Sequence, residues 1–201
     1  SDSTGSAEVL GRWFTAAGDG EGIFVVNSTT SGTQDSPSVA MNGRGEFVIA
    51  WRHEDADDVD VMGQRFDQAG RPVGGEFRLN TLTAGTQFQP DIAMDADGNF
   101  IAVWSETGSA QGDGFSARWF DKAGNLLADE FRVASVAALG GRTSSVSTTP
   151  DGEFVIARAV VNGSGSDIIA QRYTLLQPTI LNAKVGPNGT SLIVSFSQQM
   201  A

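Results

Sequence analysis

The chain has 201 residues, 40% of them hydrophobic, with 13 lysines and arginines against 24 aspartates and glutamates, a formal charge of −11. So acidic a surface repels nucleic acid and anionic membranes, which makes both poor partners. There is no cysteine, so disulfides and thiolate metal centres are excluded, and no run of about 18 apolar residues offers a membrane-spanning helix.

Ser1-Asp2-Ser3-Thr4-Gly5-Ser6 lacks the basic and apolar regions of a signal peptide and reads as an internal start. Glu8 to Phe14 predicts a strand, and Gly22-Ile23-Phe24-Val25 a second. Ser38 to Met41 is a short strand, Asn42-Gly43-Arg44-Gly45 a turn, and Glu46 to Trp51 a continuous apolar strand rich in β-formers. His53 to Asp58 is an acidic loop. Asp60 to Phe66 is a strand of mixed faces, Asp67-Gln68-Ala69-Gly70 a turn, and Gly75 to Asn80 a further strand. The same four strands return at Asp91 to Met94, Asn99 to Trp104, Phe115 to Phe120 and Asp129 to Val133. A third set opens with Gly152-Glu153-Phe154-Val155-Ile156-Ala157-Arg158 and closes at Ser166 to Tyr173. Helical periodicity is absent.

The repeat has a fixed length. Phe24, Phe77 and Phe131 lie 53 and 54 residues apart, as do Phe47, Phe100 and Phe154. Four short antiparallel strands per unit of about 50 residues describe a propeller blade. The fold expected is therefore all-β, a propeller-like array of about three four-stranded blades, open or completed by another chain. The first strand matches the third strand of a unit, since Gly11, Gly63, Ala117 and Ala170 correspond. Residues 1–177 form the repeat domain, with units near 24–76, 77–130 and 131–177. Beyond Gln177-Pro178 the pattern changes, and 178–201 read as a terminal hairpin or the start of another β domain. The third unit drifts: Trp51 and Trp104 become Arg158, Gln34 and Gln87 become Gly141, and Pro37 and Pro90 become Ser144.

The block Met62-Gly63-Gln64-Arg65-Phe66-Asp67-Gln68-Ala69-Gly70, continuing to Glu76-Phe77, with Asn80-Thr81, Ala84-Gly85-Thr86-Gln87 and Pro90, resembles the repeats of large secreted bacterial surface proteins. Phe196-Ser197-Gln198-Gln199-Met200 resembles the opening of the immunoglobulin-like domain of such proteins. The resemblance covers about residues 8 to 175. It implies an extracellular or cell-surface setting and an adhesive or structural role, with protein or carbohydrate partners, and carries no catalytic residues over. A homodimer completing a ring is a further expectation.

Two acidic groups could hold calcium. Asp95-Ala96-Asp97-Gly98-Asn99 alternates oxygen ligands around a glycine, as a calcium loop does, but it reads first as an Asp-Gly hairpin turn. Asp55, Asp57, Asp58 and Asp60 crowd carboxylates that a cation would screen, or that water solvates in an open loop. No other cofactor is implied. Catalysis has little to build on. His53 is the sole histidine, no nucleophile elbow is present, and no acid stands in an evidently apolar strand. The chain is expected to be non-catalytic, with a glycan-binding propeller or part of a propeller hydrolase as the alternatives. Trp51 and Trp104 predict packing positions, Trp119 an exposed or inter-blade one. The Gln34 and Gln87 loops suggest an inter-blade lock.

Overall fold

The computed structural model describes residues 8–14, 17–56, 58–109, 111–136, 143–162, 165–173, 180–185 and 192–196. The described residues hold strands and no helix. β1 (Leu10–Phe14) and β2 (Gly20–Val25) form a two-stranded antiparallel sheet. β3 (Thr33–Met41), β4 (Phe47–Glu54), β5 (Val59–Phe66) and β6 (Pro72–Arg78) form the first complete blade. β7 (Thr86–Met94), β8 (Phe100–Thr107), β9 (Gly114–Phe120) and β10 (Leu126–Ser135) form the second. A single parallel bridge, Val59 to Thr86, links the two. β11 (Ser144–Thr148), β12 (Phe154–Asn162) and β13 (Gly165–Tyr173) make a third, three-stranded blade among the described residues. β14 (Ile180–Val185) and β15 (Leu192–Phe196) pair with each other as a separate sheet. The domain boundary read at Gln177-Pro178 lies outside the described residues.

The apolar run of β4 is continuous because both of its faces are covered. Phe47, Ile49 and Trp51 pack toward β1 and β2 with Val9, Val26 and Phe66. Val48 and Ala50 point the other way, into a core shared with Phe100, Ala102 and Trp104 of β8. Ile101 and Val103 then face the third blade, meeting Phe154 and Ile156 of β12. Each central strand thus feeds two inter-blade cores, one per face. Trp51, Trp104 and Trp119 are all buried in these cores. That settles Trp119 as inter-blade, where its ring meets Phe154 edge-on at 4.7 Å.

The repeated phenylalanine marker has a packing cause. Phe24, Phe77 and Phe131 sit opposite Gly11, Gly63 and Ala117 on the neighbouring strand. A Cβ added at Gly11 would lie 2.2 Å from the Phe24 ring, so the small residue makes room for the ring. Near the inner strands, Asp91 of β7 ties three blades together. It accepts hydrogen bonds from Ser38 Oγ on β3 (2.8 Å), Ser145 Oγ (2.9 Å) and the Val146 amide on β11 (2.8 Å).

The hairpin turns are one motif used four times. Oδ1 of Asn42, Asp67, Asp95 and Asp121 accepts the amide two residues on and the amide four residues on, at 2.8–3.1 Å. The fourth residue, Gly45, Gly70, Gly98 or Gly124, takes φ of +74° to +93°, where a side chain would be strained. These bonds lower carboxylate pKa values. The Arg71 amide holds Asp67 below its ordinary range, and the Asn125 side chain does the same for Asp121. Burial works against ionised Glu76, yet hydrogen bonds from Ser28 and Thr29 outweigh it and leave its pKa lowered. A depressed folded-state pKa gives stability that is complete above the unfolded value and lost as pH falls through the folded one. Melting temperature is therefore expected to be flat from about pH 7 to 5 and to drop below about pH 4, where unfolded carboxylates take up protons. Thermal melts across that range check it.

Apolar side chains face outward at both ends of the described blades. Leu10, Phe14, Ile23 and Val25 are exposed on the outer face of β1 and β2, and Ile168 is 74% exposed on β13.

Candidate functional site

The ends of β4 and β8, the starts of β5 and β9, and the loops leaving β2 and β6 gather at one end of the blades. In the first blade this end is a dense polar network. Gln34 donates to Ser31 O (2.7 Å), and its Oε1 meets His53 Nδ1 at 3.1 Å. Arg52 reaches Asp35 (2.8 Å) and Glu54. Asp60 is buried and accepts from Asn80 (2.6 Å) and Arg78 (3.2 Å). Asn80 Oδ1 in turn accepts the Val61 amide at 2.9 Å, just as Asn27 accepts that of Val9 at 2.8 Å. The Gln87 amide donates to Ala84 O (3.2 Å), so both glutamines fasten the loop that enters the blade's inner strand.

The second blade keeps the backbone scaffold but exchanges most of these side chains, among them Asp35 for Phe88, Arg52 for Ser105 and Asn80 for Ala134. Glu106 stands where His53 does, and Gly114 stands where Asp60 does. Arg132, the counterpart of Arg78, has therefore lost its partner on the third strand. Its guanidinium lies over Gly114, where an added Cβ would come within 2.4 Å of Nη2. It donates to Gly112 O at 2.6 Å and pairs inward with Glu106. Glu106 is 0% exposed. The reading that no acid stands in an apolar strand is thus corrected: Glu106 closes the buried run of β8.

Beside this pair opens a cavity of about 260 Å³, walled by Glu106, Arg132, Ser116, Glu130, Thr81 and Leu82. Glu130 fastens the blades: its Oε2 accepts the Thr81 amide and hydroxyl, each at 2.5 Å, and the Leu82 amide at 3.4 Å. Glu76 does the same for Ser28 and Thr29 one blade earlier. Among the described residues, Glu106 Oε2, Glu130 Oε1 and Arg132 Nε are buried without a hydrogen-bond partner. Burial lowers the Arg132 pKa from its ordinary value. Native proteins seldom leave such atoms unmet, so the polar network behind the cavity wall is incomplete.

The residues read as calcium ligands lie at two separate places. Asp95 and Asp97 are at the opposite end of the blades. There Asp95 spends Oδ1 on the amides of its own turn and Oδ2 on Asn99 (2.8 Å). Asp55 accepts the Asp58 amide (2.9 Å) and faces His53 at 3.7 Å, while Asp60 serves Asn80 and Arg78. Asp57 lies outside the described residues. No group of three or more histidines or acids is placed to hold a metal among the described residues. Glu106, Glu130 and Arg132 escaped sequence reasoning. The paired departure from the repeat at Glu106 and Gly114 was the available signal.

No family model matches the chain. No curated protein matches it. Several solved structures are similar to it. A Hadza microbial sialidase superposes with a TM-score of 0.51 at 11% identity, over 82% of this chain and 38% of that one. An endo-arabinase from Bacteroides thetaiotaomicron gives 0.47 at 14% identity, over 74% and 58%. The polysaccharide lyase Uly1 gives 0.48 at 9%, over 85% and 43%. The chain thus spans 38–58% of the length of these proteins. The sialidase likeness shows a fold of the propeller kind. It also overturns the expectation of a non-catalytic chain. That expectation rested on the lone His53, the missing nucleophile elbow and the absence of an acid in an apolar strand, and the same fold carries an enzyme in the sialidase.

Proposed function

We propose that the chain is a propeller segment of a glycan-processing protein acting outside the cell or at its surface, with the Glu106–Arg132 cavity holding one saccharide unit. One observation carries the reading: a cavity between two blades is walled by the polar side chains of Thr81, Glu106, Ser116, Glu130 and Arg132. Sugar hydroxyls both donate and accept, so they suit such a mixed lining, and Phe131 adds an apolar surface beside it. The names of the fold neighbours, a sialidase, an endo-arabinase and a polysaccharide lyase, support a glycan rather than another polar guest. Glu106 and Glu130 are the cavity groups able to exchange a proton with a bound sugar.

The test is an amide-shift titration with a panel of plant and bacterial oligosaccharides, alongside an assay for released reducing ends. Saturable shifts centred on Thr81, Leu82 and Glu130 to Arg132 are expected from at least one class. Shifts confined to other blades, or none at all, would sink the reading.

A further inference from the structure

β1 and β2 hold the places of the third and fourth strands of a unit, as the pairing of Gly11 with Phe24 and of Gly63 with Phe77 shows. Among the described residues β1 pairs with β2 alone, whereas its counterparts β5 and β9 pair on both edges. Equivalent positions feel the difference. Phe66 and Phe120 are each 2% exposed, with Phe47 and Phe100 of the second strand stacked on them at 4.6 and 4.9 Å. Phe14 stands at the same position and is 65% exposed. On the inner strand Ile92 and Val146 are 4% and 8% exposed, while their counterpart Val39 is 61% exposed. Phe14 and Val39 line one groove of about 480 Å³ together with Leu10, Met41, Phe47 and Ile49. Apolar walls beside the unpaired backbone edge of β1 suit an added β-hairpin.

We propose that the occupant is the β14–β15 hairpin of a second copy of this chain. Its register is that of the first two strands of a unit. From the turn, β3 and β4 make four regular pairs, Met41–Phe47 to Ser38–Ala50, before one extra residue bulges on β3. β14 and β15 likewise make four, Val185–Leu192 to Asn182–Ser195, before one extra residue on β14. The sequences agree. Leu192-Ile193-Val194-Ser195-Phe196 runs as three apolar residues, a small one and an aromatic, as Phe47-Val48-Ile49-Ala50-Trp51 does. In the register of β4 on β5, Leu192 comes opposite Phe14, and small Ser195 comes opposite Gly11 as Ala50 does opposite Gly63. The tether selects the second copy. Residues 174–179 join β13 to β14, a reach of at most about 25 Å, so the hairpin lands on the blade next to β11–β13. The chain's own β1 and β2 pack on β4, and β12 packs on β8, at opposite ends of the series. Outward-facing Ile23 and Ile168 stay exposed instead of covering one another. Two copies that exchange hairpins cover both ends and close a ring of about eight blades, within the range such rings take.

The experiment uses the whole chain. Light scattering on a sizing column at micromolar concentration is expected to give the mass of two chains; a monomer throughout overturns the inference. Arg12→Cys with Val194→Cys puts the only two thiols of an otherwise cysteine-free chain at directly opposed positions of the proposed register. Mild oxidation is expected to give a covalent dimer on a non-reducing gel. A disulfide closed within one chain, or no disulfide at all, overturns the inference. Phe14→Asp sets a carboxylate in the groove and is expected to weaken the dimer at least about tenfold, with the far-ultraviolet circular dichroism unchanged. Phe14 is exposed in the single chain, so this variant is expected to fold, and an unaltered dissociation constant would also overturn the inference.

Discussion

Arg132→Ala is expected to destabilise the chain by about 3–5 kcal/mol, because it strands a buried carboxylate without a counter-ion. Glu106 is 0% exposed, and Arg132 reaches it across the space that Gly114 leaves free. At about 2–4 °C per kcal/mol for a chain of this size, the melting temperature should fall by roughly 6–20 °C. The counterpart Arg78→Ala gives the contrast. That side chain is 45% exposed, and buried Asp60 keeps its bond from Asn80 when Arg78 is lost, so the change should cost less, about 1–2 kcal/mol. Replacing both members of the buried pair, Glu106→Leu with Arg132→Met, should recover most of the loss, since neither charge is then left alone. Equal costs for the two arginines would show that the inward pairing carries no special weight.

Trp104→Ala should cost a similar amount, about 3–5 kcal/mol, for a different reason. Its ring fills the core between the first two complete blades, among Val48, Ala50, Val61, Leu79 and Phe100. These side chains belong to two paired sheets that cannot collapse into the vacated volume without breaking their ladders, so a cavity persists. Urea unfolding should show a lower midpoint with the slope unchanged. A cost near 1 kcal/mol would mean that the blades can close over the gap.

The architecture was legible because packing imposes it on every unit alike. Phe24, Phe77 and Phe131 recur since each ring needs the small residue opposite, and Phe47, Phe100 and Phe154 recur since each starts a strand feeding two cores. Asp95-Ala96-Asp97-Gly98 stayed ambiguous for a chemical reason. Oxygens that can ligate a cation equally accept the amides of a tight turn, and spacing alone does not separate the two. The cavity was illegible for another reason. Glu106 acquires its meaning from Arg132 on the outer strand and from the missing side chain at Gly114, a relation visible only once three strands lie side by side. The expectation of a non-catalytic chain weighed the lone His53, the missing nucleophile elbow and the absence of an acid in an apolar strand; the last was misread, because Glu106 ends the buried run of β8.

The fastenings between blades are unevenly distributed. Asn27 and Asn80 brace the first two sheets, and Glu76 and Glu130 strap the loops leaving them. At the next step Ala134 replaces the asparagine, and Arg158 replaces the core tryptophan. In a stacked array each boundary contributes its own nearest-neighbour free energy. The boundary before β11 keeps the Asp91 bonds and the Trp119–Phe154 contact but lacks the core tryptophan, so amide exchange in β11 to β13 is expected to be faster than in β3 to β10.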